Sequence, residues 1–224
     1  MDKMEKISIL NTLEIKRNSL FSLLNKILQG NNWALKIVFI SLFLSLLLAF
    51  PSYELMGEKL SSERSQDLAL QIQDFVLFWK NGHSSNRIFR ITVPLIAKLL
   101  RLNLIGTYIL QFVSGVLIFL LTALIIERET KSRLISLFVT VLVGTIYAGI
   151  SGFVEIWLYF DSVALLFLLG AMFFRTPFII ASSILLAGFT DERAVVAAGF
   201  VFIWWAIQAK SNKPELRTFL NQRS

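Results

Sequence analysis

Residues 104–126 contain no charged side chain, and that run decides which folds are open to the chain. An apolar helix needs only about 18–20 residues to cross the hydrocarbon core of a bilayer. Five further apolar segments, at about 33–50, 134–151, 156–174, 177–189 and 194–208, repeat the pattern. The expected fold is all-α, a polytopic membrane helix bundle of about six transmembrane segments. Composition agrees: 55% of the 224 residues are hydrophobic and 20 are Phe. The mean hydropathy of +0.67 is too apolar for a soluble domain of this size.

The net charge of +7 would suggest nucleic acid in a soluble protein. Here the basic residues concentrate at the two tails and in loops between apolar runs, where they orient the spans. No nucleic-acid partner is expected, and the bilayer is the expected environment. Six spans put both ends on one side, and that side carries 14 Lys and Arg against 8 opposite. The short loops, which report orientation best, read 4 against 1. Both termini are expected in the cytoplasm, with the bundle in a bacterial inner (plasma) membrane. The start is not read as a cleavable signal, because residues 1–32 are polar or amphipathic. Leu20, Leu23, Leu24, Ile27 and Leu28 recur there at helical spacing beside Lys16, Arg17 and Lys26, as in a helix lying on the cytoplasmic leaflet. Residues 209–224 form a basic tail.

The long first outer loop, 51–103, is amphiphilic without a span. Leu68, Ile72, Phe75, Val76 and Trp79 mark one face of an interfacial helix whose other face carries Asp67, Gln71, Gln73 and Asp74. After a turn-rich break at 81–86, residues 87–100 resume as helix around Pro94.

Within this frame Thr190, Asp191, Glu192 and Arg193 are an anomaly, since they interrupt an apolar run from 177 to 207. Each ionisable group at membrane depth costs about 2.5–3.5 kcal/mol on insertion scales. The segments flanking them have only about 13 and 14 residues, roughly 20 Å against a core of about 30 Å. The cluster is therefore expected below the outer surface. Glu54, Glu58, Glu63, Asp67, Asp74, Glu155, Asp161, Arg87 and Arg90 fall on the same side, which predicts an outward-facing cavity lined by carboxylates and arginines.

Simpler explanations stand beside this one. Asp191 or Glu192 pairs with Arg193 in a plain turn, or Asp161 caps a shortened fourth helix behind a loop at 152–160 carrying Trp157, Tyr159 and Phe160. Residues 177–207 could also form one bent helix, against which the basic tail argues. The absence of cysteine removes disulfides, thiolate metal sites and cysteine nucleophiles. His83, the one histidine, sits in a Gly-Ser turn, and no metal site is expected from it. Ser114, Gly115, Gly144, Ala148, Gly149 and Gly152 point to close helix packing.

Four stretches go further: Pro51-Ser52-Tyr53-Glu54 after the first span, Arg90-Ile91-Thr92-Val93-Pro94-Leu95 before the second, Tyr159-Phe160-Asp161-Ser162-Val163-Ala164-Leu165-Leu166, and Gly188-Phe189-Thr190-Asp191-Glu192-Arg193-Ala194. Together they resemble the first part of a GT-C type membrane glycosyltransferase, which takes sugars from polyprenyl-phosphate donors on the outer face. The resemblance implies Glu54 as general base on the acceptor, with Glu58 a secondary candidate near the substrate. It implies that Asp161, Asp191 and Glu192 are the other acting carboxylates, and that Arg87, Arg90 or Arg193 meets the donor phosphate, since a planar guanidinium fork suits phosphate oxygens. An acidic residue of this loop holds a divalent cation in some members, which makes such a cation a candidate cofactor. The chain departs from the family in offering Glu54 and Glu58 where Asp is usual, and in being much shorter. It would then be a minimal member, a component working with another membrane protein, or a non-catalytic relative. The alternative function is a non-enzymatic subunit or lipid or solute carrier whose charges pair internally.

Overall fold

A computed structural model of the chain describes residues 19, 21–49, 63–74, 89–155 and 158–211. Among them all regular structure is helical, as expected. In chain order the helices are α1 (Trp33–Ala49), α2 (Glu63–Gln73), α3 (Thr92–Leu99), α4 (Leu104–Thr130), α5 (Arg133–Val143), α6 (Tyr147–Val154), α7 (Asp161–Phe173), α8 (Pro177–Gly188) and α9 (Arg193–Ser211). The charge-free run lies in α4, a helix of 27 residues and so about 40 Å long. It is the central element, in contact with α1, α5, α6 and α7.

Asn103 starts α4 by accepting a hydrogen bond from the Gly106 amide at 2.8 Å. Asn103→Ala is expected to cost about 1 kcal/mol, the usual value of a helix cap, read as a lower midpoint in thermal unfolding of detergent-solubilised protein. Pro94 sits in the first turn of α3, where its missing N–H has no intrahelical acceptor to lose.

Two sets of contacts define the ends of the bundle. At one end Arg128 donates to the Phe173 and Met172 carbonyls at 2.8 and 3.2 Å, and Arg133 donates to Leu28 O at 3.0 Å. The indoles of Trp204 and Trp205 reach the Met172 and Ala171 carbonyls there at 3.2 and 3.0 Å. At the other end the amide of Thr92 bonds Phe189 O at 3.2 Å, and the hydroxyls of Thr92 and Thr190 share the Leu186 carbonyl at 2.9 and 2.7 Å. Since Trp205 returns to the end where α8 begins, α8 and α9 form an antiparallel hairpin and not one bent helix.

The interior is an apolar core that also takes in small hydroxyl side chains, while large apolar side chains face outward. Phe39, Phe178, Val196 and Phe200 are largely exposed, whereas Ser41, Ser45, Thr107, Ser136, Thr140 and Ser162 are fully buried. In hydrocarbon, apolar burial gives little drive, and close backbone approach with van der Waals contact holds helices together instead. The α4–α6 crossing works this way: a Cβ on Gly152 would lie 2.7 Å from Gly115 Cα, and one on Gly115 would lie 2.7 Å from the Phe153 ring. By length and apolarity, Leu104–Thr130 and Arg193–Lys210 can each cross a membrane, while the other apolar helices are shorter.

Three expectations change. The segment at 134–151 is not one helix: it breaks after Val143 and resumes at Tyr147, and a Cβ on Gly149 would overlap the Val143 carbonyl. The fourth segment begins at Asp161, later than 156, because Leu158 and Phe160 adopt left-handed backbone with φ of 59° and 60°. Gln71, expected on a solvated face, is buried, because α2 packs against both α3 and α4.

Candidate functional site

Asp161 is the first residue of α7, Arg193 the first of α9, and Asp191 and Glu192 form the turn between α8 and α9. Phe160, not Asp161, occupies the cap position of α7. Topology brings all four together. Arg193 is the bridge: its Nη2 donates to Asp161 Oδ1 and to Asp191 Oδ2, each at 2.7 Å. Its Nε lies 3.0 and 3.2 Å from the two Asp191 oxygens, and its backbone amide donates to Asp191 Oδ1 at 3.1 Å.

Arg90 approaches from the segment before α3. Its Nε and Nη2 clasp Glu192 at 3.1 and 2.9 Å in the bidentate geometry that guanidinium and carboxylate favour, and Nη2 is 3.5 Å from Asp191. Its Cζ stands 5.6 Å from the centre of the Tyr159 ring, a cation–π distance. The chain thus joins Asp161–Arg193–Asp191–Arg90–Glu192 into one ion-pair network.

Burial within the network is uneven. The Asp191 side chain is 6% exposed and Arg90 13%, whereas Glu192 and Arg193 are 56% and 65% exposed. Burial alone would raise the Asp191 carboxyl, but the hydrogen bonds from the Arg193 side chain and amide outweigh it and hold the group below the ordinary carboxylate range. The Arg90 hydrogen bonds likewise hold Glu192 below its usual value. Both are therefore ionised near neutral pH.

Asp161, Asp191 and Arg193 line one side of an open cleft of about 220 Å³, shared with Tyr147 and walled by Ala164, Leu168, Ala194 and Ala197 from α7 and α9. The alanines leave an apolar slot beneath a charged mouth. Arg193 spends Nε and Nη2 on carboxylates, and among the described residues its Nη1 has no partner.

Asp161, Asp191, Glu192, Arg90 and Arg193 are thus brought together, while Glu54, Glu58 and Arg87 lie outside the described residues. Not foreseen from the sequence are Tyr147, the contact of Tyr159 with Arg90 and the use made of Glu155. Glu155 Oε2 accepts from the amides of Tyr159 and Phe160, both at 3.0 Å, and so fixes the left-handed turn that presents Tyr159 to Arg90 and Asp161 to Arg193. Among the described residues no group of three His, Asp or Glu could hold a metal ion. The described carboxylates do not fit a divalent cation, because Asp161, Asp191 and Glu192 are committed to guanidinium groups.

No protein-family model, curated protein or solved structure matches this chain.

Proposed function

We propose that this chain is an integral protein of the bacterial plasma membrane, crossed by six helices with both ends in the cytoplasm, and that its outward-facing cleft takes part in sugar transfer from a polyprenyl-phosphate donor, in the manner of GT-C type glycosyltransferases. The observation that carries it is the form of the cleft. Arg193, its charge shared by two aspartates, keeps one nitrogen, Nη1, free above an apolar slot, where it can donate to a phosphate joined to a hydrocarbon chain. Asp161 and Asp191 hold that arginine, and Arg90 with Glu192 fixes the turn on which Asp191 sits. In this scheme an acceptor hydroxyl attacks the sugar's anomeric carbon and the lipid phosphate leaves toward Arg193. A carboxylate, with Glu54 the candidate base by resemblance, takes the hydroxyl proton. No step is assigned to a metal.

Membranes containing the chain, supplied with a labelled polyprenyl-phosphate sugar and extracted acceptors, test this directly. Glu54→Gln is expected to lower transfer at least about 100-fold, the scale of a lost acid–base group, and Asp191→Asn to lower it by loosening the hold on Arg193, with both variants still present in the membrane. Full activity in both variants would sink these roles.

The second reading, a non-enzymatic subunit or lipid or solute carrier, draws on a different observation: each of the five charged side chains is already paired with another of the five. Its mark is that Arg193→Ala and Asp191→Ala lower the folded yield, because each strands a partner within the network, while the unaltered chain transfers no sugar.

A further inference from the structure

The end of the bundle opposite the cleft carries a second polar pocket, of about 150 Å³, lined by Arg128, Arg175, Trp205, Gln208 and Ala209. Arg128 is fixed in place: it donates Nη1 and Nη2 to the Phe173 and Met172 carbonyls at the end of α7, and Nε to Glu129 Oε1 at 3.0 Å. Gln208 donates to the other Glu129 oxygen at 2.6 Å. Both oxygens of the neighbouring carboxylate are thus occupied, and its charge is balanced by Arg128. Arg175, by contrast, is exposed and has no hydrogen-bond or ion-pair partner among the described residues. The pocket therefore presents the whole Arg175 fork, the remaining N–H groups of Arg128 and the second amide hydrogen of Gln208, with one uncompensated positive charge.

Two features say what such a pocket meets. The Trp205 indole spends its N–H on Ala171 O, so its ring serves as a wall, and Trp204 beside it anchors in the same way; tryptophans at this depth mark a membrane–water interface. Phe174 and Phe178 are 43% and 80% exposed on either side of Arg175, an apolar flank next to an anion pocket. We infer that this pocket binds the phosphodiester headgroup of an anionic phospholipid in the leaflet on the tail side, with Arg175 as its principal ligand and Phe174 and Phe178 against the acyl chains. The volume, about 150 Å³, suits one phosphate group and its ester link. It is a site separate from the cleft and rests only on the bundle being embedded in a membrane.

The full chain purified in mild detergent, mixed with phosphatidylglycerol or with phosphatidylcholine of the same acyl chains, tests it by native mass spectrometry. Phosphatidylglycerol adducts are expected to survive about fivefold better, the effect of one basic residue at an anionic surface. Arg175→Gln should abolish that preference, and so should Gln208→Glu, which brings a carboxylate into the pocket. Arg101→Gln, on an exposed arginine at the opposite end, should keep it. A preference that persists in both pocket variants, or equal retention of the two lipids by the unaltered chain, overturns the proposal. Displacement of the lipid by an equal concentration of inorganic phosphate would assign the pocket to a free anion and overturn it too. Recovery of the chain in the aqueous fraction without detergent would instead defeat the membrane premise, a result read before any lipid is added.

Discussion

Arg193→Ala is expected to lower the folded yield more than any other single change in the ion-pair network. Removing the bridge leaves the largely buried carboxylates of Asp191 and Asp161 side by side without their shared cation. Breaking a fully buried pair costs about 3–5 kcal/mol; with Arg193 65% exposed and Arg90 still 3.5 Å from Asp191, the lower end, about 3 kcal/mol, is expected. Asp191→Ala is expected to cost less, about 2 kcal/mol, because the cation it strands is 65% exposed and keeps Asp161, while Arg90 keeps Glu192. Arg193→Lys recovers only part of the loss, since an ammonium cannot present the planar fork that spans both aspartates. The pH dependence has a definite sign. In the native protein Asp191 has a depressed carboxyl, so its contribution is present above the unfolded carboxylate value of about 4 and is lost as pH falls through the lower folded value. In Arg193→Ala the unpaired carboxylates favour protonation, so the gap to the unaltered protein narrows as pH falls toward about 4. Thermal melting in detergent at two pH values measures all of this, and a variant as stable as the parent at neutral pH would show that the network carries no structural weight.

Gly152→Leu is the second large effect. The first carbon of any side chain there meets Gly115 backbone, 2.7 Å from Cα and 3.0 Å from N, and backbone cannot rotate away as a side chain can. Overpacking usually costs about 1–3 kcal/mol, and here α4 and α6 must separate, so a loss at or above the top of that range is expected. Gly199→Ala is the matched control: a Cβ there meets nothing within 4 Å, so exchanging helical glycine for alanine should be neutral or stabilising by about 0.5–1 kcal/mol. Comparable losses at the two positions would mean that the close crossing is not what holds these helices together.

The contrast between these two glycines also marks how far sequence reasoning reached. Helix α4, the convergence of Asp161, Asp191, Glu192, Arg90 and Arg193, and the packing role of Gly115 and Gly152 were all legible, because hydropathy sets which segments are helical and alternation of ends sets which loops meet. What escaped was set by backbone geometry. The break at 144–146 falls on Gly-Thr-Ile without a proline, and a glycine inside an apolar run reads equally as a packing residue, so Gly144 alone does not announce the helix end. An amphipathic stripe assumes one packed side and so places Gln71 on a wet face, whereas α2 has two neighbours. On the sequence alone Glu155 is one more outer acid. Its function as acceptor for the amides of Tyr159 and Phe160 exists only because Leu158 and Phe160 are left-handed, and nothing in those two residue types announces it.

The attachment of α3 to the α8–α9 turn bears on how the protein is made. Arg90 and Glu192 are 102 positions apart, and Thr92 and Leu186 are 94 apart. A ribosome delivers Arg90 long before its carboxylates, so for most of synthesis this arginine has neither Glu192 nor Asp191 to neutralise it. Contacts of such sequence separation form late and at the highest loop-closure cost. The turn at 190–193 thus acts as a closing latch: a nascent chain that stops short of it leaves Arg90 without either of its carboxylates.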